Sequence, residues 1–351
     1  MKLAPLVRVL QARGGVEHVV VHTGQHYDPE MSDVFLRELR VPQPRHNLEV
    51  GSGSHTVQTA QVMLRLEPVC LSERPDLMLV YGDVNSTLAA ALVAAKLGIP
   101  LGHVEAGLRS GDWTMPEEVN RVLTDRLSLL LFAPSADAVE NLRVEGIARE
   151  RIHFVGNVMI DSVVAALPAA LSANAPARHE VVRGGYVLVT LHRPSNVDDP
   201  ATLVEIFRAL CELGRDEPVV FPVHPRTRER FKAAGVAITS DGAVRLIDPL
   251  PYVEMLGLVE AAGLVITDSG GLQEETTFLG VPCLTVRPNT ERPITCLRGT
   301  NRLVEPRCDA LVAAARARDA DRRANPPQLE RWDGRAAERI ACVLCDGMSY
   351  Q

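Results

Sequence analysis

The chain has 351 residues, 46% of them apolar, which is enough for about two domains with buried cores. Its net charge of −7 and its aromatic content of only 4% argue against a dedicated nucleic-acid-binding protein. Neither a run of about 18 apolar residues nor a secretion-type leader is evident, so we expect no membrane association and a cytoplasmic location.

The first half of the chain is predicted to alternate strands with helices after an opening helix. That helix covers Leu3–Gln11 and ends near Gly14–Gly15, although a doubly wound half is expected to open with a strand. A later helix over Thr87–Lys96 ends where Gly98 and Pro100 follow it. The predicted strands are Val19–His22, Leu77–Tyr81, Leu101–Val104, Leu129–Phe132 and Ile152–Val155.

The second half shows the same alternation of short apolar runs with helical patterns. Runs this apolar indicate strands that are covered on both faces, so the alternation predicts βα units with parallel sheets. The predicted strands are Tyr186–Thr190, Val219–Val223, Val244–Ile247, Leu264–Thr267 and Cys283–Val286.

The predicted fold class is α/β, with two Rossmann-like doubly wound domains and a central cleft, and with the first strand missing. We expect an N-terminal domain at 1–160, a linker region at 161–185, a C-terminal domain at 186–335 and a helical tail at 336–351. In such sheets ligands bind at the carboxyl ends of the strands, so residues that directly follow strands are the candidates for chemistry.

Three acids of the first half follow strands or open a helix. Asp83 and Glu105 each follow a buried strand, and Glu117 lies at the start of the Pro116–Arg121 segment. Asp83 is also a good helix N-cap, and a glutamate in a first helical turn also complements the helix dipole. Three acids at one cleft nevertheless indicate general acid–base chemistry, because crowding raises carboxyl pKa values.

The second half carries groups suited to an anion. His192 and Arg193 follow one strand, and the Ser269-Gly270-Gly271 turn joins another strand to a helix. Such a turn is typical of a phosphate cradle, although it also occurs as an ordinary tight βα turn. Glu275 lies within the following helix, where its carboxylate suits ribose hydroxyls better than a diphosphate. Arg292, further along the chain, could supply a compensating cation.

The sequence offers no fingerprint of a metal or redox cofactor. The histidine pair His22 and His26 spans the end of a strand and a glycine, so its spacing does not fit a helical zinc site. Seven scattered cysteines indicate reduced thiols, and the one close pair, Cys342 and Cys345, has no second pair nearby. No nicotinamide, Walker or zincin motif occurs, and we expect no cofactor.

Nine short motifs in this order resemble the non-hydrolysing UDP-N-acetylglucosamine 2-epimerases, and they span nearly the whole chain. Each motif is weak alone, whereas the ordered set is highly specific. The motifs lie at His22–Asp28, Gly82–Thr87, His103–Ser110, Pro116–Arg121, Gly156–Asp161, Leu191–Asn196, Asp268–Glu275, Glu291–Pro293 and Gly299–Val304.

The resemblance implies a glycosyltransferase-B-like fold, a homodimer and an isomerase that interconverts UDP-GlcNAc and UDP-ManNAc for surface polysaccharide. It implies no metal and no nicotinamide. The family mechanism removes the C2 proton while UDP leaves C1, which gives a 2-acetamidoglucal beside UDP. Protonation on the opposite face and return of UDP then complete the inversion. Because the C2 proton is weakly acidic, stabilisation of the leaving group must be substantial.

The resemblance also implies roles for individual residues. The implied catalytic residues are Asp83, Glu105, Glu117 and His192. The implied contacts to UDP or the substrate are Lys2, Leu250, Met255, Ser269, Gly270, Gly271, Glu275 and Arg292. An effector site that binds UDP-GlcNAc in some members is matched by Gln25, His26, Arg193 and His224, whereas its other residues are not evident around Gly51–Gln58.

The main departure from the family pattern is at the start of the chain. The family begins with a strand and a Gly-Thr-Arg-Pro-Glu-like stretch, of which only the final lysine, Lys2, and the following proline, Pro5, are matched. A missing central strand exposes the edges of its neighbours and removes core contacts. We expect that the start of the sequence has been assigned about a dozen residues too late, rather than that the chain is truly defective. We therefore expect activity only once the upstream residues are restored.

Three other functions remain compatible with the sequence alone. One is epimerisation of a related UDP-2,3-diacetamido sugar acid, because the sequence does not define the C3 and C6 substituents. Another is a glycosyltransferase of the same architecture. The last is an inactive nucleotide-sugar binder, which a true truncation makes conceivable. Exchange of the C2 proton without an acceptor separates the epimerases from the other two.

Overall fold

The computed structural model describes residues 1–24, 41–223, 225–234, 244–318 and 325–346. The chain divides into two compact units. Unit 1 comprises Met1–Ser162 and Glu330–Gln351, and unit 2 comprises Val163–Leu329.

Unit 1 is an α/β unit with a four-stranded parallel sheet and a separate parallel pair of strands. The sheet has the order β3-β4-β5-β6, and β1 pairs with β2. Its strands are β1 (Val21–His22), β2 (His46–Asn47), β3 (Met78–Tyr81), β4 (Leu101–Val104), β5 (Leu130–Ala133) and β6 (Ile152–Phe154). Its helices are α1 (Leu3–Arg13), α2 (His55–Glu73), α3 (Asn85–Leu97), α4 (Pro116–Leu127), α5 (Ala136–Val144), α6 (Val158–Ala173), which continues into unit 2, and α15 (Ala336–Asp346).

The helices of unit 1 begin and end where their sequences dictate. Ser54 accepts a hydrogen bond from the backbone N–H of Val57 at the start of α2. Pro116 opens α4, where its missing N–H costs nothing, and two glutamates in the first turn complement the helix dipole. Gly98 ends α3 in the left-handed conformation, as its position in the sequence predicts.

The opening of the chain is helical, as predicted. Leu6 and Leu10 of α1 belong to one apolar cluster with Ile340 of α15 and with residues of β4 and β5. Among the residues described, β3 pairs only with β4 and β1 only with β2, so the two sheets of unit 1 remain separate. The side chains of Leu48 and Val80 belong to one apolar cluster that also contains residues of α2 and α3.

The C-terminal helix α15 belongs to unit 1. The carboxylate of Asp161, in α6, accepts hydrogen bonds from the backbone N–H groups of Ala336 and Ala337 at 3.1 and 2.8 Å, and so caps α15 from another part of the chain. Burial raises the pKa of Asp161 to about 6. The indole of Trp332 donates to the carbonyl of Pro134 at 3.0 Å, which fixes the segment that precedes the helix.

Unit 2 is built on one six-stranded parallel sheet with the order β12-β11-β10-β7-β8-β9. Its strands are β7 (Val187–Thr190), β8 (Val219–Pro222), β9 (Val244–Ile247), β10 (Leu264–Thr267), β11 (Cys283–Val286) and β12 (Asn301–Val304). Its further helices are α7 (Ala175–Arg178), α8 (Pro194–Val197), α9 (Pro200–Leu213), α10 (Pro225–Ala233), α11 (Tyr252–Ala261), α12 (Gly270–Leu279), α13 (Pro293–Leu297) and α14 (Cys308–Arg316).

The two parallel-sheet units confirm the predicted α/β class. Two observed strands were not predicted, β2 and β12, because both carry polar residues in place of an apolar run, and β2 is only two residues long. The segment predicted as a linker, 161–185, contains most of α6 and all of α7, and the boundary between the units falls inside α6. The described helices include none that is both long enough and apolar enough to cross a bilayer.

Two left-handed glycines of unit 1 give a matched test of the packing. At Gly156 (φ +88°) an added Cβ would lie 2.1 Å from the carbonyl oxygen of Arg331, whereas at Gly146 (φ +76°) it would meet nothing within 4 Å. Both alanine variants carry the left-handed strain of about 1–2 kcal/mol. We expect Gly156→Ala to cost about 1–3 kcal/mol more in the free energy of unfolding, measured by urea denaturation. Equal losses would contradict the close packing at Gly156.

Candidate active site

Two neighbouring loops of unit 1 carry the first candidate acids. β3 and β4 pair in parallel with Tyr81 opposite Val104, so the residues that follow them lie at one edge of the sheet. The N–H of Gly82 donates to the carbonyl of Val104 at 3.0 Å and extends this pairing by one residue. Asp83 and Glu105 therefore leave the same edge from adjacent strands.

Asp83 is held by two residues of α4. Arg121 donates from Nη2 to the Asp83 carboxylate at 2.5 Å, and Asn120 donates to the Asp83 carbonyl at 2.8 Å. Arg121 is buried and also pairs with Glu118 at 2.7 Å. Asp83 is thus anchored through both its backbone and its side chain, while its side chain keeps 20% exposure.

Glu105 has a strained backbone and a buried side chain. Its φ of 78° is unusual for a residue with a Cβ, and such strain is frequent at functional sites. The N–H groups of Glu105 and Ala106 both donate to the carbonyl of Phe132 at 3.1 Å, which holds the turn in place. Lys2 pairs with the Glu105 carboxylate at 2.5 Å. The structure therefore brings together Lys2 and Glu105, two of the predicted site residues.

The two glutamates that open α4 have different environments. Glu118 is buried and accepts from the N–H groups of Ser110 and Gly111 and from the Ser110 hydroxyl at 2.9–3.1 Å. It fixes the loop after Glu105. Glu117 is half-buried, and within the described residues no hydrogen bond or ion pair engages its carboxylate. Glu117 is therefore the acid of this pair that remains available for chemistry.

In unit 2, His192 is paired with a buried aspartate. Its Nδ1 lies 2.9 Å from Oδ1 of Asp268, while the side chain of His192 is 63% exposed. Burial alone would raise the pKa of Asp268, but the hydrogen bond and charge of His192 bring it below its usual value of 3.8. The arrangement orients the imidazole with Nε2 as its remaining polar atom.

Asp268 is a site residue that sequence reasoning missed. Besides His192 Nδ1, it accepts from the backbone N–H groups of His192 and Arg193 and from Asn196 Nδ2 at 2.9–3.1 Å. Arg193 also donates from Nε to the Asp268 carbonyl at 3.1 Å, so this predicted effector residue is attached to the same turn. An acid directly after a buried strand is the signal that identified Asp83, and Asp268 follows β10 in the same way.

The Ser269-Gly270-Gly271 turn opens α12 and fits an anion cradle. Ser269 is the N-cap residue but makes no side-chain cap bond, so no hydroxyl occupies the helix N-terminus. A Cβ at Gly270 would lie 2.6 Å from Nη1 of Arg292 and 2.8 Å from Oε1 of Glu291, so any side chain there would have to displace the ends of these two side chains. The free N–H groups of the first turn and the helix dipole favour a negative charge.

Arg292 is buried beside this turn and is balanced by carboxylates. It pairs with Glu274 at 2.8 Å and with Glu291, and Glu291 also pairs with Arg287 at 2.7 Å. All four side chains are nearly fully buried, and their charges sum to zero. Arg292 is thus held within reach of the glycine turn by a compact ion network.

The remaining predicted contacts lie on α11 and α12. Glu275 is buried, and desolvation is the main cause that raises its pKa to about 8. The hydroxyl of Tyr252, a residue that sequence reasoning also missed, donates to Glu275 at 3.2 Å. Leu250 and Met255 flank Tyr252 and are partly buried against the apolar cluster below it. Helices α11 and α12 and the loop before α11 therefore carry four of the predicted residues: Leu250, Met255, Gly271 and Glu275.

Three predicted effector residues, Gln25, His26 and His224, lie outside the described residues. Over the part of the chain that is described, histidine, cysteine, aspartate and glutamate side chains form no group of three or more placed to hold a metal ion.

A sequence model of UDP-N-acetylglucosamine 2-epimerases matches residues 8–345. The UDP-N-acetylglucosamine 2-epimerase of Methanocaldococcus jannaschii is 41% identical over 99% of this chain and 96% of the relative. The chain belongs to the UDP-N-acetylglucosamine 2-epimerase family.

The structural comparison agrees with this family. The crystal structure of the M. jannaschii epimerase in complex with UDP-GlcNAc and UDP is 40% identical, with a TM-score of 0.89 over 99% of this chain and 96% of that one. A second relative, the UDP-2,3-diacetamido-2,3-dideoxy-D-glucuronate 2-epimerase of Pseudomonas aeruginosa, is 43% identical over 94% of this chain and 91% of its own length. The resemblance found in the sequence motifs is therefore confirmed.

The buried Glu275 of this epimerase-family chain gives a prediction about pH. The folded state holds the proton of Glu275 up to about pH 8, whereas the unfolded chain releases it near the ordinary pKa of 4.5. The folded state then binds more protons than the unfolded state, so this group lowers stability as pH rises between these values. We expect Glu275→Gln to gain stability relative to the parent protein from about pH 5 to about pH 8, measured by urea unfolding. Parallel pH profiles would contradict the raised pKa.

Proposed function

We propose that the protein is a UDP-N-acetylglucosamine 2-epimerase that interconverts UDP-GlcNAc and UDP-ManNAc. Membership of the family and 41% identity to an epimerase over nearly the whole chain support this proposal. The structural observation that carries it is the position of Asp83 and Glu105 after adjacent parallel strands. Two carboxyl groups held by separate loops at one sheet edge suit the removal and return of a proton.

The proposed reaction is elimination of UDP followed by its re-addition. A carboxylate takes the C2 proton, the C2–H electron pair forms the C1=C2 double bond, and the C1–O bond breaks to release UDP. The intermediate is 2-acetamidoglucal. A carboxylic acid then protonates C2 on the opposite face, and the UDP oxygen attacks C1. Asp83, Glu105 and Glu117 are the proposed acid–base groups, and Lys2 is proposed to balance the charge of Glu105.

Unit 2 is proposed to bind the UDP group. The N-terminus of α12, with Ser269, Gly270 and Gly271, suits the diphosphate, and His192 and Arg292 are proposed to donate hydrogen bonds to it. These donors stabilise the leaving group while the weakly acidic C2 proton is removed. The carboxyl group of Glu275 is proposed to accept ribose hydroxyls, and Leu250 and Met255 to contact the uracil.

Proton exchange at C2 tests the proposed reaction. The expected activity is incorporation of deuterium at C2 of UDP-GlcNAc in heavy water without an acceptor, with formation of UDP-ManNAc, both followed by NMR on the 351-residue chain and on a chain that also carries upstream residues. Exchange by the 351-residue chain alone would refute the expectation that upstream residues are required. Asp83→Asn, Glu105→Gln, Glu117→Gln and His192→Ala should each lower the exchange rate by orders of magnitude and leave the thermal melt of the protein intact. Glu140→Gln, at an exposed ion pair on α5, is the control.

Transfer of the sugar without exchange would favour a glycosyltransferase, and binding without exchange would favour an inactive binder. Near-normal exchange in any one of the four variants would remove that residue from the mechanism.

A related substrate is the second candidate. The 43% identity to the P. aeruginosa diacetamido-glucuronate epimerase is as high as that to the GlcNAc epimerase and favours no single sugar. Parallel exchange assays with UDP-GlcNAc and with the UDP-2,3-diacetamido sugar acid decide between them, because the better substrate has the higher kcat/KM.

We also propose that the protein is a homodimer and that helix α2 forms its interface. Val57, Leu64 and Leu71 are 53%, 65% and 60% exposed and recur every seven residues, so they form one apolar stripe. An antiparallel pair of α2 helices about a two-fold axis would place Leu64 against Leu64 and Val57 against Leu71. An exposed apolar stripe of this length is typical of a protein interface.

Charge substitution tests the proposed dimer. Leu64→Glu places two carboxylates at the proposed two-fold axis, so we expect it to give monomers in analytical ultracentrifugation. Val144→Glu, at a residue of α5 that is 78% exposed, is the matched control and should leave the mass unchanged. A parent protein that sediments as a monomer, or a Leu64→Glu variant that still dimerises, would contradict the proposed interface.

The proposed product, UDP-ManNAc, is a precursor for surface polysaccharide containing ManNAc. A cytoplasmic location is proposed on the odd, scattered set of cysteines, which indicates reduced thiols.

A further inference from the structure

A buried histidine connects the two loops that carry Asp83 and Glu105. His103 lies on β4 and is completely buried. Its Nε2 is 2.8 Å from the carbonyl oxygen of Gly82, and its Nδ1 is 2.6 Å from Oδ1 of Asp125. His103 therefore contacts the loop after β3 on one side and helix α4 on the other.

Asp125 continues this connection to the loop after β4. Its Oδ2 accepts the N–H of Gly107 at 3.1 Å and pairs with Arg109 at 2.8 Å. Arg109 in turn forms a two-pronged pair with Glu145 at 2.7 and 2.8 Å. The series runs from Gly82 through His103 and Asp125 to Gly107, and it spans the two loops without using Asp83 or Glu105.

Hydrogen bonding fixes the charge of this histidine. A carbonyl oxygen only accepts, so Nε2 of His103 must carry a proton towards Gly82. Oδ2 of Asp125 accepts the N–H of Gly107 and pairs with the guanidinium of Arg109, and both contacts favour an ionised carboxylate. Its Oδ1 is therefore an acceptor too, and Nδ1 of His103 must also donate. A ring that donates from both nitrogens is an imidazolium.

The surrounding charges match a positively charged ring. The groups of the network are His103 and Arg109 on one side and Asp125 and Glu145 on the other, so two positive charges face two negative ones. Each charge in the network has an opposite partner within 3 Å, which is the condition under which buried ions persist.

We propose that His103, as a buried imidazolium, is a positioning residue that sets the distance between the Asp83 loop and the Glu105 turn. The inference rests on the proposed function, because the distance between the two loops matters only if Asp83 and Glu105 act as the acid–base groups. With a neutral ring, one of the two hydrogen bonds would be lost, and either the Gly82 carbonyl or Asp125 would be left without its buried donor. A displacement of about 1 Å between reacting groups costs up to about 100-fold in rate.

The first test is independent of catalysis. Nitrogen-15 NMR of histidine-labelled protein, with the His103→Gln variant used to assign the signal, reports the protonation of each ring nitrogen. We expect both ring nitrogens of His103 to carry a proton in the folded protein at the pH of the C2-exchange assay. A ring that carries a proton on only one nitrogen overturns the proposal.

The second test separates positioning from stability. His103→Gln preserves one polar contact but removes the charge and the second donor. We expect it to lower kcat for C2 exchange by about 10- to 100-fold and to leave KM and the Kd for UDP within about twofold, because the proposed UDP contacts lie in unit 2. His153→Gln, on β6 of the same sheet, is the matched control and should keep the parent kcat.

Three outcomes remain distinguishable. A His103→Gln variant that melts earlier but keeps kcat per folded molecule would assign His103 a structural role only and overturn the proposal. If that variant does not fold, Asp125→Asn gives the same comparison of kcat and KM, because it removes the negative partner of the ring. A parent protein that exchanges no C2 proton refutes the proposed function, whereas the NMR result on the charge of His103 stands by itself.

Discussion

Helix α4 determines the geometry of the candidate site in unit 1, because three buried charged side chains on it end on the loops that follow β3 and β4. Glu118, Arg121 and Asp125 occur at spacings of three and four residues, so they share one face of the helix. Glu118 and Asp125 accept backbone N–H groups of the loop after β4, and Arg121 holds the Asp83 carboxylate. Such charges are expensive to bury, and they are stable here because each is paired and hydrogen-bonded.

In unit 2 different residues fix the loops that follow the strands. The fixing carboxylate of unit 2 is Asp268, which directly follows strand β10 rather than lying on a helix. It holds the turn of His192 and Arg193 by accepting their two backbone N–H groups. The ion network of Arg287, Glu291, Arg292 and Glu274 fills the space beside the glycine turn. In both units the loops after the strands are therefore fixed by buried carboxylates rather than by apolar packing, which leaves their outward side chains available for a polar ligand.

The sequence was informative wherever a local pattern decided the structure. Ten predicted strands agree with observed ones to within two residues at either end, because an apolar run is a local signal, and Asp83, Glu105 and the glycine turn were found because they directly follow such runs. The roles of His103, Asp268 and Tyr252 depend on partners more than 20 residues away, and those pairings arise only when the sheets form. The raised pKa of Glu275 likewise follows from tertiary burial, which the helix that carries it does not reveal.

The carboxylates of the two units separate into two kinds by what they accept. Glu118, Asp125, Asp161 and Asp268 each accept at least one backbone N–H from outside their own helix or strand end. In Glu118, Asp161 and Asp268 both carboxylate oxygens accept backbone N–H groups, so an amide would turn its NH₂ group towards one of these donors and disrupt the loop. Asp83 and Glu105 instead pair with the side-chain cations of Arg121 and Lys2. Such a partner stabilises the carboxylate while it is ionised, and protonation of the carboxyl group then takes no acceptor away from a backbone N–H. A carboxylate fixed by backbone amides would lose that support on protonation and disturb its own loop. Proton transfer at C2 therefore fits the cation-paired acids, and the amide-bound acids fit the task of keeping their loops in place.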